Sequence, residues 1–302
     1  MDGILIIDKP EGFTSHDVVA RLRRILKTKK IGHTGTLDPF ATGVLVMLVG
    51  KATRLAQFLD KDEKEYEAVV RFGFETDTGD RTGMRSAECG VRNEELLDVL
   101  ARTDWENLLA KFRGGIAQTP PMYSAKKIDG KKLYEHARKG VEIERKPINV
   151  TINKLEIISA DEIRDPRSAI RIRVACSAGT YIRTLAEVIG RAVGFGAHLA
   201  ELRRTRAGRF DISQAVKSET LEIAADPRSF ILQMNEAVTH LRKFSLPKER
   251  VEKTRNGMST GTESDEFIDG ETLRMTAENG ELIAIGYYDK SVSSVKPKVV
   301  LV

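Results

Sequence analysis

The amino-acid sequence predicts an α+β fold with a mostly antiparallel sheet, followed by a small all-β domain at the C-terminal end. Along residues 1–243, strand-like and helical patterns mix without the regular alternation that a parallel sheet requires. After residue 243, short strand-like runs are separated by Asn-Gly and Asp-Gly turns. A chain of 302 residues is long enough for two hydrophobic cores. We therefore expect two domains, 1–243 and 244–302.

The first predicted elements are a buried strand and an amphipathic helix. Residues 3–7 form a short apolar run, which is typical of a buried strand. Thr14 and Asp17 have the spacing of a capping box, which marks a helix start. The residues that follow recur at helical intervals and predict an apolar helix face: Val18, Val19, Leu22, Ile25 and Leu26.

Further strands and one long helix are predicted in the first domain. Residues 44–49 form a second apolar run, and residues 169–176 alternate between apolar side chains and arginines. Residues 93–112 follow a helical pattern. One face of a strand at residues 66–72 carries Tyr66, Ala68, Val70 and Phe72.

Residues 118–146 differ in composition from the rest of the first domain. They contain Pro120-Pro121 and a run of lysines, but few residues that could enter a core. We expect this segment to be an insertion that projects from the body and grips RNA.

Charge and cysteine content restrict the class of protein. The net charge is +5 and the pI is near 9.1, so a polyanionic partner must be recognised by local clusters. Cys89 and Cys176 form no CxxC motif, and no apolar run approaches the roughly 18 residues of a membrane span. We expect a soluble cytoplasmic protein. Six basic residues are predicted to contact RNA phosphates: Lys126, Lys127, Lys131, Lys132, Arg203 and Arg204.

The loop at residues 32–43 is the strongest candidate for a reactive site. It places Asp38 among glycines and other turn-forming residues, directly before Pro39. The residue before a proline is driven toward an extended conformation, and glycines allow a tight loop around a ligand. Such a cluster is also compatible with an ordinary solvated turn.

Arg183 is the predicted partner of Asp38. A strand end and a glycine turn precede it, and Thr180 is a candidate helix N-cap. Arg183 then lies in the first helical turn, where the helix dipole disfavours a cation, so an anion should lie nearby. Pairing with Asp38 would lower the pKa of that carboxyl and keep it ionised, as a nucleophile requires. An exposed, unpaired arginine is the alternative.

Other candidate residues are less specific on their own. Tyr66 and Tyr181 lie near these loops, but each could be a core tyrosine, and His33 could be a hydrogen-bonded loop histidine. The remaining histidines lack the spacing of metal ligands, and no nucleotide-binding glycine motif occurs in the right context. We therefore expect no metal and no cofactor.

Six segments, in chain order, carry a resemblance to the TruB family of bacterial tRNA pseudouridine synthases. The resemblance covers about 240 residues, and the tail from Phe244 resembles a PUA domain, a small β-barrel. It implies a pseudouridine-synthase fold. The segments are Lys9-Pro10-x-Gly12-x-Thr14-Ser15-His16-Asp17, Gly32-His33-Thr34-Gly35-Thr36-Leu37-Asp38-Pro39, Lys64-x-Tyr66-x-Ala68, Thr76-Asp77-Thr78-x-Asp80, Pro120-Pro121-x-Tyr123-Ser124-Ala125-x-Lys127 and Gly179-Thr180-Tyr181-Ile182-Arg183.

The resemblance implies a role for each candidate. Asp38 is the expected nucleophile, with Arg183 as its ion-pair partner, and Tyr66 is expected to stack on the uracil and assist loss of the C5 proton. Tyr181 and Leu202 correspond to residues that line the uracil pocket. His33 corresponds to the side chain that enters the RNA loop.

The implied reaction is the isomerisation of uridine 55 in the T loop of tRNA to pseudouridine, by base flipping and aspartate nucleophilic catalysis. The expected partner is the tRNA T stem-loop, without a membrane. No guide RNA is expected, because residues 130–138 have the bacterial pattern. Two alternatives stay open: a non-catalytic RNA-binding or tRNA-folding protein on the same scaffold, and an N-glycosidase that uses Asp38.

Overall fold

A computed structural model describes residues 1–59, 62–88, 93–124, 126–128, 130–137, 139–159, 168–262 and 266–301, so Cys89 lies outside the described residues. The helices in this part of the chain are α1 (Ser15–Ile25), α2 (Ala56–Leu59), α3 (Asn93–Arg102), α4 (Trp105–Ala110), α5 (Leu133–Ala137), α6 (Ile182–Val193), α7 (Ser218–Ile223), α8 (Met234–Ala237) and α9 (Lys248–Arg255). None of these described helices combines the length and apolar character that crossing a membrane would require.

The strands, in chain order, are β1 (Gly3–Lys9), β2 (Ile31–His33), β3 (Thr42–Val49), β4 (Lys64–Phe72), β5 (Phe74–Thr76), β6 (Arg85–Glu88), β7 (Gly114–Gln118), β8 (Lys127–Ile128), β9 (Lys131–Lys132), β10 (Ile148–Ser159), β11 (Ala169–Cys176), β12 (Ala197–Ala207), β13 (Phe210–Asp211), β14 (Arg242–Ser245), β15 (Thr260–Gly261), β16 (Thr272–Thr276), β17 (Leu282–Asp289) and β18 (Ser294–Val300). Short 3-10 turns lie between some of them, as at Gly50–Leu55.

A large sheet runs through the first part of the chain in the order β1-β3-β12-β4-β11-β10-β7, with β2 beside β3 and β13 beside β12. Its pairs are antiparallel except for β3 with β12, which are parallel where Arg203 and Arg204 face Thr42 and Gly43. The predicted α+β class with a mostly antiparallel sheet is therefore confirmed. The predicted face of β4 is also confirmed, because Tyr66, Ala68, Val70 and Phe72 are buried.

Helix packing follows the sequence pattern. The predicted capping box is present: the Thr14 hydroxyl accepts a hydrogen bond from Asp17 N, and Asp17 accepts one from Thr14 N. The apolar face of α1 is buried in a cluster with β1 and β3. Helix α6 packs its apolar side against β4 and β11 in a second cluster. These two helices place their N-terminal ends near the loop that carries Asp38.

The long helix predicted over residues 93–112 is wrong in one respect, because the chain forms two helices there. Helix α3 ends at Arg102 and α4 begins at Trp105. Asp104 is the N-cap of α4, and its carboxylate accepts a hydrogen bond from Asn107 N at 3.1 Å. An aspartate that caps a new helix start competes with continuation of the first helix.

The C-terminal region contains a five-stranded sheet in the order β14-β16-β17-β18-β15. The all-β prediction for this region is wrong, because α9 lies between its first two strands. The sequence of α9 explains this: Glu249 lies in the first turn and Lys253 and Arg255 in the last, which suits the helix dipole. The PUA-like identity of this sheet stays a prediction.

The two sheets share one apolar cluster. Leu282, Ile285 and Leu301 of the C-terminal region pack together with residues of β1 and β3, such as Ile4 and Val44. The division into domains at residues 243 and 244 stays a prediction.

Candidate active site

The Asp38 loop connects β2 to β3 and is held by hydrogen bonds from its neighbours. Ser15, the first residue of α1, is buried, and its hydroxyl accepts a hydrogen bond from Leu37 N at 3.0 Å. The Lys9 ammonium is fully buried and donates to three carbonyl oxygens, one of which belongs to Pro39. Burial lowers the pKa of Lys9 to about 8. The loop is therefore a fixed structure rather than a solvated turn.

Gly43 ends this loop in a conformation that only glycine adopts readily. Its φ is 98°, and an added Cβ would lie 2.2 Å from the carbonyl oxygen of Arg204. The close approach is what lets β3 pair with β12 at this point.

Asp38 and Arg183 form the predicted ion pair. Arg183 Nε lies 2.9 Å from Oδ2 of Asp38, and Nη2 lies 3.2 Å from Oδ1, so both carboxylate oxygens are bound. The same guanidinium donates to the carbonyl oxygens of Thr78 at 2.8 Å and Tyr123 at 2.7 Å. Asp80 Oδ2 lies 3.8 Å from Nη1. Arg183 is therefore buried with its donors directed at fixed oxygens.

The start of α6 differs from the prediction in one residue. The N-cap is Tyr181 rather than Thr180, whose hydroxyl instead donates to Ser177 O at 2.8 Å. The side-chain amide of Gln118 binds the main chain of this N-cap residue twice: Tyr181 N donates to Oε1 at 3.0 Å, and Nε2 donates to Tyr181 O at 3.3 Å. Sequence reasoning missed Gln118, which contributes to fixing the helix that carries Arg183.

The expected direction of the Asp38 pKa shift is corrected by the structure. Burial raises the pKa of the Asp38 carboxyl, and this is the largest influence on it. Arg183 acts in the opposite direction, as expected, because its cation favours the ionised carboxylate. Desolvation exceeds this attraction, so the pKa lies above its usual value.

A cavity of about 250 Å³ opens beside the Asp38 and Arg183 pair. Its walls include the three apolar or aromatic candidates Tyr66, Tyr181 and Leu202, as well as Lys64 and Arg204, which sequence reasoning did not assign to the site. Burial raises the pKa of both tyrosines, so their hydroxyl groups are neutral. The cavity combines one carboxylate with aromatic and cationic walls.

His33 is near this loop but is not one of the cavity-lining residues. Its Nδ1 accepts a hydrogen bond from Gly35 N at 3.3 Å. The ring lies edge-on to that of His16, with 6.0 Å between the ring centroids.

The structure separates the predicted RNA-binding residues into different groups. Lys126 lines the cavity and Lys131 is exposed. The side chains of Lys127 and Lys132 lie outside the described part of the structure. Arg203 is half-exposed, and its Nη1 and Nη2 atoms lie 3.1 and 2.9 Å from the Asp8 carboxylate.

Arg204 does not fit the prediction that it contacts RNA phosphates. The residue is buried, and its Nε donates to Val44 O at 2.6 Å while Nη2 donates to Gly35 O at 3.2 Å. The cause is strand geometry: successive side chains of β12 point to opposite faces, so Leu202 and Arg204 face the cavity while Arg203 faces away.

Comparisons with known proteins define the class. Residues 23–182 match the N-terminal domain of the TruB family of pseudouridylate synthases, and residues 183–251 match the C-terminal domain of tRNA pseudouridylate synthase B. Pseudouridine synthases convert a uridine into its isomer, so the protein is an isomerase.

The chain belongs to the TruB family. It is 40% identical over 309 residues to tRNA pseudouridine synthase B of Bacillus cytotoxicus, covering 100% of this chain and 98% of that protein. It is 42% identical over 283 residues to tRNA pseudouridine synthase B of Geobacillus thermodenitrificans, covering 92% of each. Among solved structures, a Cbf5-Nop10-Gar1 complex contains a chain with a TM-score of 0.70 and 27% identity, covering 99% of this chain and 85% of that one. The pseudouridine-synthase fold is therefore confirmed.

Proposed function

We propose that the enzyme isomerises uridine 55 in the T loop of tRNA to pseudouridine, with Asp38 as the nucleophile. The observation that carries the proposal is the Asp38 carboxylate, bound through both oxygens by Arg183 at the wall of a cavity of about 250 Å³. The names of the relatives give tRNA as their substrate. The resemblance of the six motifs gives the T-loop position.

The reaction needs few protein groups. The N1–C1′ bond breaks and a C5–C1′ bond forms, C5 loses a proton, and N1 gains one, so no electrons are gained or lost. The Asp38 carboxylate attacks C6 of the uracil or C1′ of the ribose and leaves again at the end. Arg183 favours the ionised carboxylate, against the effect of burial, and fixes its direction.

The cavity walls would hold the uracil away from water and from its neighbours in the RNA. Unstacking a base costs a few kcal/mol, and stacking on an aromatic side chain offsets about 1–3 kcal/mol of that cost. Tyr66 takes this stacking role and assists loss of the C5 proton, while Tyr181 and Leu202 line the pocket. His33 enters the space that the base leaves in the RNA loop.

The substrate would be bound through phosphates of the T stem-loop, by Lys126, Lys127, Lys131, Lys132 and the exposed part of Arg203. These cations replace counterions, so binding depends on salt. We propose that the enzyme acts on tRNA in the cytoplasm without a guide RNA.

The decisive experiment uses unmodified tRNA that carries tritium at C5 of its uracils. We expect tritium release equal to one uracil per tRNA and pseudouridine at position 55. A transcript with cytidine at position 55 is the control and should release none. Free uracil in the product would identify an N-glycosidase, and tight tRNA binding without tritium release would identify a non-catalytic RNA-binding protein.

A further inference from the structure

We propose that Arg204 is a positioning residue that fixes both ends of the Asp38 loop and the Tyr66 side chain, and that it makes no contact with RNA phosphates. The inference rests on the proposed function, because it concerns the geometry of the same cavity. Arg204 would then support catalysis, although the sequence predicts that it binds RNA phosphates.

The contacts of Arg204 with the loop span its two ends. Gly35 precedes Asp38 by three residues, and Val44 lies in β3, directly after the loop. Arg204 Nη2 donates to Gly35 O at 3.2 Å, and Nε donates to Val44 O at 2.6 Å. Because a guanidinium is planar and rigid, these two bonds fix the distance between the ends of the loop.

The third contact of Arg204 is with Tyr66. The two residues are direct partners in the antiparallel pairing of β12 with β4. The Arg204 cation lies close enough to the Tyr66 hydroxyl to oppose the upward shift that burial gives to the tyrosine pKa. Arg204 therefore connects the loop that carries Asp38 to the strand position of Tyr66, another cavity-lining residue.

The burial of Arg204 argues against the alternative role, a contact with RNA phosphates. The residue is only 2% exposed, whereas the Arg203 side chain is 40% exposed and faces Asp8. Within the described residues, Arg204 is in no ion pair, so its charge is balanced by hydrogen bonds to protein oxygens. A phosphate could reach this guanidinium only if those bonds were broken.

The first test measures binding and chemistry separately in Arg204→Met. We expect the single-turnover rate at saturating tRNA to fall by about 100-fold, since a small displacement of catalytic groups has effects of this size. The dissociation constant for tRNA and the slope of its salt dependence should stay unchanged. A phosphate contact would instead lower the slope by about 0.7 to 0.9. That lower slope, or a rate within threefold of wild type, would overturn the proposal.

Matched variants keep this test independent of folding. Arg173→Met removes another arginine of the large sheet, one that pairs with Glu67 and Glu156, and should leave the rate unchanged. If Arg204→Met does not fold by circular dichroism, Arg204→Gln, which keeps an amide donor, is measured in its place with the same expected outcome.

The contribution of Tyr66 is separated by a double-mutant cycle. In a Tyr66→Phe background the hydroxyl contact is already lost, so Arg204→Met should lower the rate by less than it does in the wild type. Equal effects in both backgrounds would contradict the link between Arg204 and the Tyr66 hydroxyl.

Hydrogen exchange in the free protein distinguishes this inference from the proposed function. Arg204→Met should speed exchange of the amides at residues 36–43, where Arg173→Met should not. If exchange is faster in Arg204→Met but the wild type forms no pseudouridine, the proposed reaction is refuted. The positioning role of Arg204 in the loop would still stand. Unchanged exchange would refute the positioning role even if the wild type is active.

Discussion

The buried arginines of the cavity and the lysines of residues 118–146 are two cationic groups with different surroundings. Arg183 and Arg204 are buried, and their donors are directed at carbonyl oxygens or at Asp38. Lys131 is exposed, and among the described residues neither it nor Lys126 forms an ion pair. The planar guanidiniums hold fixed oxygens, whereas flexible ammonium groups suit phosphates that arrive with the substrate. Charge in a sequence therefore locates cations without giving their roles.

The largest loss of activity is expected from removing the charge of Asp38, the anion that Arg183 binds. Asp38→Asn should lower the single-turnover rate by about 10⁴-fold or more, because an amide is a poor nucleophile. Binding of tRNA should be preserved. Tritium release and a filter-binding assay measure the two quantities, with Asp98→Asn on the exposed face of α3 as the control. A rate within tenfold of wild type would remove Asp38 from its role.

A smaller loss of activity is expected when Arg183 is replaced by lysine, a cation that lacks the planar guanidinium. Arg183→Lys should lower the rate by about 100-fold, because an ammonium cannot hold both Asp38 oxygens and the two carbonyls together. Arg191→Lys, on the same helix and exposed, is the matched control. Near-normal single-turnover kinetics in Arg183→Lys would show that charge alone is enough.

The electrostatic difference between buried and exposed groups can be measured without substrate. Burial raises the pKa of Asp38 above 3.8, whereas hydrogen bonds from Thr14 lower the pKa of the exposed Asp17 below that value. In a carbon-13 NMR titration, Asp38 should gain its proton first as the pH falls. Activity should decline over the same pH range, since protonation removes the nucleophile. The reverse order of titration would mean that Arg183 outweighs desolvation.

The insertion lysines should affect binding and leave chemistry intact. Lys126→Ala combined with Lys131→Ala should lower the slope of the salt dependence of tRNA binding by about 1.5, as two phosphate contacts are lost. The rate at saturating tRNA should be retained in the single variant Lys131→Ala, because Lys131 does not line the cavity. Lys154→Ala, a lysine paired with Glu156, serves as the control. An unchanged slope would exclude these lysines from the interface.

The smallest effect is expected at Arg203. Its guanidinium already binds both oxygens of Asp8, so only a weak contact with phosphate is left, and Arg203→Met should weaken tRNA binding by about twofold. The salt dependence of tRNA binding is measured for Arg203→Met and for the double lysine variant under the same conditions, so that the two losses can be compared. A loss as large as that of the lysines would show that Arg203 exchanges Asp8 for a phosphate when RNA binds.

The parts of the site that could be predicted from the sequence depended on local signals. The pairing of Arg183 with Asp38 followed from a cation in a first helical turn, and the face of Tyr66 followed from strand alternation. The exposure of Arg203 and the burial of Arg204 could also have been predicted, because neighbouring residues of a strand point to opposite faces. From the sequence, residues 197–207 were not identified as a strand. Gln118 gave no signal, since its contact with Tyr181 joins residues that are 63 positions apart.

The apolar cluster shared by the two sheets has a consequence for the order in which the protein can fold during its synthesis. Ile4 lies near the beginning of the chain and Leu301 near its end, yet both are buried in the same cluster. Ile4 leaves the ribosome almost 300 residues before this partner exists. Part of the apolar face of the first strand must therefore stay uncovered, or bind temporarily to other surfaces, until residue 301 has been synthesised.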